Sequence, residues 1–179
     1  MRRTLCLIAA SLTLLSAPAA FAALAVGAAA PTFSADAAAG GVAFKFNLAT
    51  TLKQGPVVLY FYPKAFTSGC TVEAHNFAEA TPKFKAMGAT VIGISNDDIE
   101  TLKKFSVEAC RSQFAVAADA GAKVMKAYDA ALRLMPGAAD RISYLIAPDG
   151  SIAAVHSSLN PDGHVEAMLK AVEQLKAKP

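Results

Sequence analysis

The chain has 179 residues, 54% of them hydrophobic, which is enough for one domain with a sizeable core. Its 17 basic residues stand against 14 acidic ones, and two of the basic residues, Arg2 and Arg3, fall in a leader-like N-terminus. The remaining near-neutral balance argues against a nucleic-acid partner or a polybasic membrane contact.

Residues 1–22 read as a secretory signal peptide. Arg2 and Arg3 form its basic end, Leu5 to Leu15 its apolar stretch, and Ala20-Phe21-Ala22 a small-x-small cleavage site. The apolar stretch is too short to span a bilayer, and Pro18 interrupts it. The expectation is a single domain over 23–179, exported to the periplasm or secreted, with no stable membrane contact. Disulfides persist there, and the exported part keeps two cysteines, Cys70 and Cys110. An even pair fits a redox couple or a plain structural disulfide.

Leu24 to Pro31 is small and apolar, a linker or an entry strand. Val42 to Leu48 alternates weakly after Gly40-Gly41 and reads as an edge strand. Val57 to Tyr62 is a continuous apolar run, the pattern of a strand buried on both faces. Pro63 breaks it, a loop runs from Lys64 to Gly69, and a helix begins at Cys70. Thr81-Pro82 divides that helix, with a second piece capped by Thr81 and ending at Gly88.

Thr90 to Ser95 reads as another buried strand, and Asn96 or Asp97 caps a helix whose apolar face includes Ile99, Leu102 and Phe105. Phe114 to Ala117 is a short strand and Ala122 to Tyr128 a short helix. Arg141 to Ala147 and Ser151 to His156 flank the turn Pro148-Asp149-Gly150, a hairpin pattern. Val165, Met168, Leu169, Val172 and Leu175 keep helical spacing to the end of the chain. Strands alternating with helices, then a hairpin, predict an α/β domain of thioredoxin-like type: a central mixed sheet with helices on both faces.

A thiol at the start of a helix sits against unpaired backbone N–H groups and the positive end of the dipole, surroundings that favour thiolate. Cys70 is placed there. Thioredoxin-type exchange pairs its cysteines as C-x-x-C, but Glu73 occupies the second position. What remains is a lone nucleophile that is oxidised and then restored.

Pro63, Thr67 and Cys70 spell P-x-x-x-T-x-x-C, which resembles the peroxiredoxin active-site motif. The strings FYPKAFTSGCT, VGAAAP-F, VVLYFYPK, GATVIGIS and RISYLIAPDG are similar to the bacterioferritin-comigratory-protein or PrxQ branch of that AhpC/TSA superfamily. The resemblance implies a thiol-dependent peroxidase acting on hydrogen peroxide or organic hydroperoxides through a Cys70 sulfenic acid. Thr67 would accept from the peroxide, the Gly69 and Cys70 amides would donate to its oxygens, and Pro63 would close the pocket. Arg141, ahead of -x-S-Y-L-I, matches the family's active-site arginine, and Glu73 could hold its guanidinium. No bound cofactor is needed, and His75, His156 and His164 match no familiar metal-ligand spacing. A thioredoxin-like protein or a small thiol would be the reductant, and a monomer is expected, as in many relatives.

The chain also departs from that pattern. His75 stands where many members carry a resolving cysteine, and Ser106 where others do. Cys110, one helical turn beyond Ser106, could resolve Cys70 if the helix at Cys70 partly unwinds. The alternatives are a disulfide-exchange protein acting through Cys70, or a binding domain with a structural Cys70–Cys110 disulfide.

Overall fold

The computed structural model describes residues 23–132, 134–135 and 137–177. The leader read in 1–22 lies outside the described residues. In chain order the elements are β1 (Ser34–Ala39), β2 (Val42–Asn47), α1 (Leu48–Leu52), β3 (Val57–Phe61), α2 (Ser68–Ala86) and β4 (Thr90–Ser95). There follow α3 (Ile99–Glu108), β5 (Ala115–Ala118), α4 (Lys123–Ala127), β6 (Ile142–Ile146), β7 (Ile152–Ser157) and α5 (His164–Ala177). Among the described residues no helix is long and apolar enough to cross a membrane.

Because β3 is apolar at every position, it is stable only where both faces are covered. It lies inside a seven-stranded sheet of order β2-β1-β5-β4-β3-β6-β7, parallel to β4 and antiparallel to β6. Side chains alternate along it. Val58, Tyr60 and Tyr62 enter one core with Phe77 and Phe84 of α2, Leu102 and Phe105 of α3, and Met168 and Val172 of α5. Val57, Leu59 and Phe61 enter the other with Leu48 and Leu52 of α1 and Val124 and Met125 of α4. Helices therefore cover both faces of a mixed sheet, as the sequence pattern predicts.

Two local expectations are corrected, and one strand went unread in the sequence. First, α2 is one continuous helix with Pro82 inside it, and Thr81 caps no second piece. The Thr81 hydroxyl instead donates to the Phe77 carbonyl at 2.8 Å, satisfying backbone in the turn that the proline disturbs. Phe77 and Phe84, both fully buried, lie on either side of Pro82. Burying each contributes roughly 1.5–3 kcal/mol, which together offsets the roughly 3 kcal/mol an interior proline costs.

Second, the α3 cap is Asp98, whose carboxylate accepts from the Thr101 amide at 2.9 Å. Asp97 is turned back toward the loop before α2. The unread strand, β1 (SADAAA), lacks the branched and aromatic residues that favour strands, and it forms by pairing with β2 and β5. The entry segment runs along β7, with Gly27 N donating to Ile152 O and Ile152 N to Ala28 O, each at 2.8 Å.

Gly93 of β4 sits opposite Tyr60 of β3, and a Cβ there would lie 2.7 Å from the Tyr60 ring. That ring is stacked on Phe77 with centroids 4.4 Å apart, so it cannot move freely. Gly93→Ala is expected to lower stability by about 1–3 kcal/mol, seen as a reduced urea midpoint at unchanged slope. An unchanged midpoint would mean that the Tyr60 ring has room to shift.

Candidate active site

The loop from Pro63 to Thr67 leaves the end of β3 and returns as α2. It is fixed from the β4–α3 connection: Asp97 Oδ2 accepts from the Ala65 amide and from the Ser95 hydroxyl, each at 2.8 Å. Pro63 is half-buried and Thr67 exposed. Phe66 takes a left-handed φ of 65° and sets its ring edge against Phe105, with centroids 5.2 Å apart.

Thr67 is the N-cap of α2, yet its side chain makes no capping bond. Its hydroxyl donates to the Lys64 carbonyl at 2.9 Å, leaving its lone pairs able to accept. The first intrahelical bond runs from Thr71 N to Thr67 O, so the amides of Ser68, Gly69 and Cys70 precede the helical ladder. Cys70 is buried in this first turn, only 2% exposed.

Arg141, immediately before β6, reaches across to this turn. Its Nη2 donates to Cys70 Sγ at 3.6 Å, and its Nη1 donates to Glu73 Oε2. Its Nε donates to the Leu159 carbonyl at 3.0 Å, so the whole guanidinium is positioned. A Cβ on residue 69 would lie 3.2 Å from Arg141 Nη2, which gives Gly69 a steric role beyond its amide.

Behind this pair lies a buried polar layer. Ser143 Oγ is 2.9 Å from His164 Nδ1, and His164 Nε2 is 3.0 Å from the Ser158 carbonyl. Glu73 Oε1 lies 3.6 Å from the same Nδ1. Burial pushes the Glu73 carboxyl up to about 8, against the pull of Arg141. Burial pushes His164 down to about 4, against its bond to Ser158.

Cys110 lies just past α3, fully buried, and burial pushes its thiol up. Cys70 and Cys110 are both free thiols and belong to the same core cluster. Ser106, where some relatives carry a cysteine, is buried with its hydroxyl accepting from the Gly41 amide at 2.9 Å. His75 is half-buried on α2. A separate cavity of about 1240 Å³, lined by Ala23, Leu132, Leu134, Asp140, Ile142 and Val155, lies against the other side of β6.

Thus Pro63, Thr67, Cys70, Glu73 and Arg141 converge on one end of β3, while Cys110 stands apart from the guanidinium. Sequence reading missed Ser143 and His164 as members of this layer. The only available signal was their polar character at positions otherwise patterned for core, Ser143 within an apolar strand and His164 at the head of an amphipathic helix.

Residues 26–155 match the model of the AhpC/TSA family. The chloroplastic peroxiredoxin Q of Sedum lineare is 35% identical over 125 residues, covering 69% of this chain and 67% of that protein. That of Triticum aestivum is 36% identical over 124 residues, and the chain spans only 57% of its length. Among solved structures, peroxidoxin BcpB from Mycobacterium tuberculosis superposes with a TM-score of 0.74 at 28% identity, covering 84% of this chain and 97% of that one. Peroxiredoxin Q of Xanthomonas campestris gives 0.69 at 26% identity, covering 78% and 89%. With more than half its length inside the family model, and with relatives of the Q type at this identity, the chain belongs to the AhpC/TSA family of peroxiredoxins.

Proposed function

We propose that this peroxiredoxin reduces hydrogen peroxide or small organic hydroperoxides with Cys70 as the attacking thiolate. The observation that carries the reading is the guanidinium of Arg141 on Cys70 Sγ, in a helix turn whose leading amides precede the ladder. A thiolate needs a cation beside it, and charge leaving on oxygen needs fixed donors. Thr67, with lone pairs free to accept, would accept a hydrogen bond from the peroxide O–H and hold the O–O bond in line with the sulfur.

In the first step an S–O bond forms and the O–O bond breaks. Sulfur loses two electrons to become sulfenic acid, and the expelled alkoxide or hydroxide takes a proton to leave as alcohol or water. In the second, a thiolate attacks the sulfenic sulfur, forms a disulfide, and the sulfenic oxygen leaves as water. Cys110 is the resolving candidate inside the chain, and a thioredoxin-like dithiol or small thiol from outside would then reduce the disulfide. The leader-like residues 1–22 support a periplasmic or secreted setting for that exchange.

For Cys110 to resolve, it has to leave its buried site and the first turn of α2 has to open. The turn after it supports such mobility: Arg111 and Ser112 both hold left-handed φ, at 49° and 57°. Each such residue costs about 1–3 kcal/mol, which opening would release. A static structural disulfide would require neither this strain nor an arginine on the Cys70 sulfur.

Cys70→Ser is expected to abolish peroxide consumption, and full retention would sink the assignment. Gly69→Ala pushes on Arg141 Nη2 and should slow the peroxide step on the order of tenfold while the protein stays folded. An unchanged rate would show that the guanidinium position is not critical. With one equivalent of peroxide, intact mass and peptide mapping should show loss of two hydrogens and a Cys70–Cys110 link. Gain of one oxygen on Cys70 alone would establish resolution by an outside thiol.

A further inference from the structure

The peroxide chemistry makes no use of Ser143, His156 and His164, which lie buried or half-buried behind Arg141. The hydrogen-bonding rules assign their protons. His164 Nε2 faces the Ser158 carbonyl at 3.0 Å, and a carbonyl only accepts, so Nε2 carries the hydrogen. In the neutral ring Nδ1 is then an acceptor, facing the Ser143 hydroxyl at 2.9 Å. Glu73 Oε1 lies 3.6 Å from that same nitrogen, fully buried, with no hydrogen-bond partner among the described residues.

Were Glu73 a carboxylate, a charged oxygen would face a nitrogen lone pair in a dry core with no donor between them. A proton on Oε1 removes that conflict. The O–H then faces Nδ1 across 3.6 Å, beside the Ser143 hydroxyl that lies 2.9 Å from the same nitrogen. Oε2 still accepts from Arg141 Nη1.

We propose that Glu73 is held protonated by His164, so that it anchors Arg141 as a neutral acceptor and leaves the guanidinium charge to Cys70 alone. His164 is then a positioning residue that acts on the sulfur through Glu73 and Arg141. With His164 neutral the charges balance: one guanidinium matches one thiolate, whereas a carboxylate as well would leave the buried site with a net negative charge. Burial, which raises Glu73 to about 8 and lowers His164 to about 4, places the proton on the carboxyl.

The other groups facing this layer come from β3, β7 and the site itself. From β3 comes Tyr60, whose phenol burial pushes well up, so that it stays neutral. From β7 comes His156, whose ring meets His164 edge-on at 4.6 Å with Nε2 buried and without a partner among the described residues. Cys70 and Arg141 complete the set.

This inference rests on Cys70 as the reacting thiol, but its first test does not involve peroxide. Infrared difference spectra of the reduced protein, taken between neutral pH and a pH above about 8, should show a protonated-carboxyl band that is lost on raising the pH. The band should be missing from Glu73→Gln. That variant carries no titratable group at this position, so the pH dependence of its rate, and not the size of the rate, is the second readout. The wild-type rate should fall as pH rises through about 8, where Glu73 ionises and competes for Arg141, and that of Glu73→Gln should not. Absence of the band at neutral pH, or a fall in rate through about 8 that persists in Glu73→Gln, would overturn the proposal. A normal band with no peroxide reaction in either protein would overturn the role of Cys70 and leave the buried proton standing.

Discussion

The structure depends on one buried cation. Arg141 is 5% exposed, and a guanidinium cannot be deprotonated to escape the cost of that burial. Its side-chain partners come from two separate parts of the chain, Cys70 and Glu73 on α2 and the Leu159 carbonyl after β7, and its own backbone leads into β6. Removing any of them leaves a guanidinium N–H without its acceptor in low dielectric. The placement of α2 across the end of β3 is thus electrostatic as much as hydrophobic.

The scaffold makes that placement possible by division of labour. One core, under α2, α3 and α5, carries the aromatic cluster of Tyr60, Tyr62, Phe77 and Phe105, to which Cys70 of the first turn of α2 also belongs. The other, under α1 and α4, covers the opposite face of the sheet and takes no part in the chemistry. Asp97 joins the two tasks: it ends the β4 side of the sheet and fixes the loop that delivers Thr67 and Cys70.

What could be read in the sequence was local. An apolar run, a proline, a short polar loop and a cysteine before an amphipathic segment specify strand, break and helix start without tertiary information. Arg141 was legible because its strand has a distinctive string. Strand β1 was not, because alanine carries little preference and pairing decides the outcome. The continuity of α2 through Pro82 was hidden for a similar reason: propensity argues for a break, while two phenylalanines packed on either side hold the helix together. Ser143 and His164 lie 70 and 91 positions beyond Glu73 in the sequence, and only the fold shows that they converge on its carboxyl.

The two ends of the sheet are also unlike each other. At β7 the segment around Gly27 and Ala28 takes up backbone hydrogen bonds that would otherwise face outward. At β2 nothing does so among the described residues, and Val42 and Phe44 stand 69% and 43% exposed on that margin. Between Phe44 and Phe46 sits Lys45, bound across the ladder to Asp36 at 2.7 Å. A charge in the middle of an open strand discourages a second chain from docking there edge to edge. Lys45 thus puts a charge on the margin where another strand would have to pair.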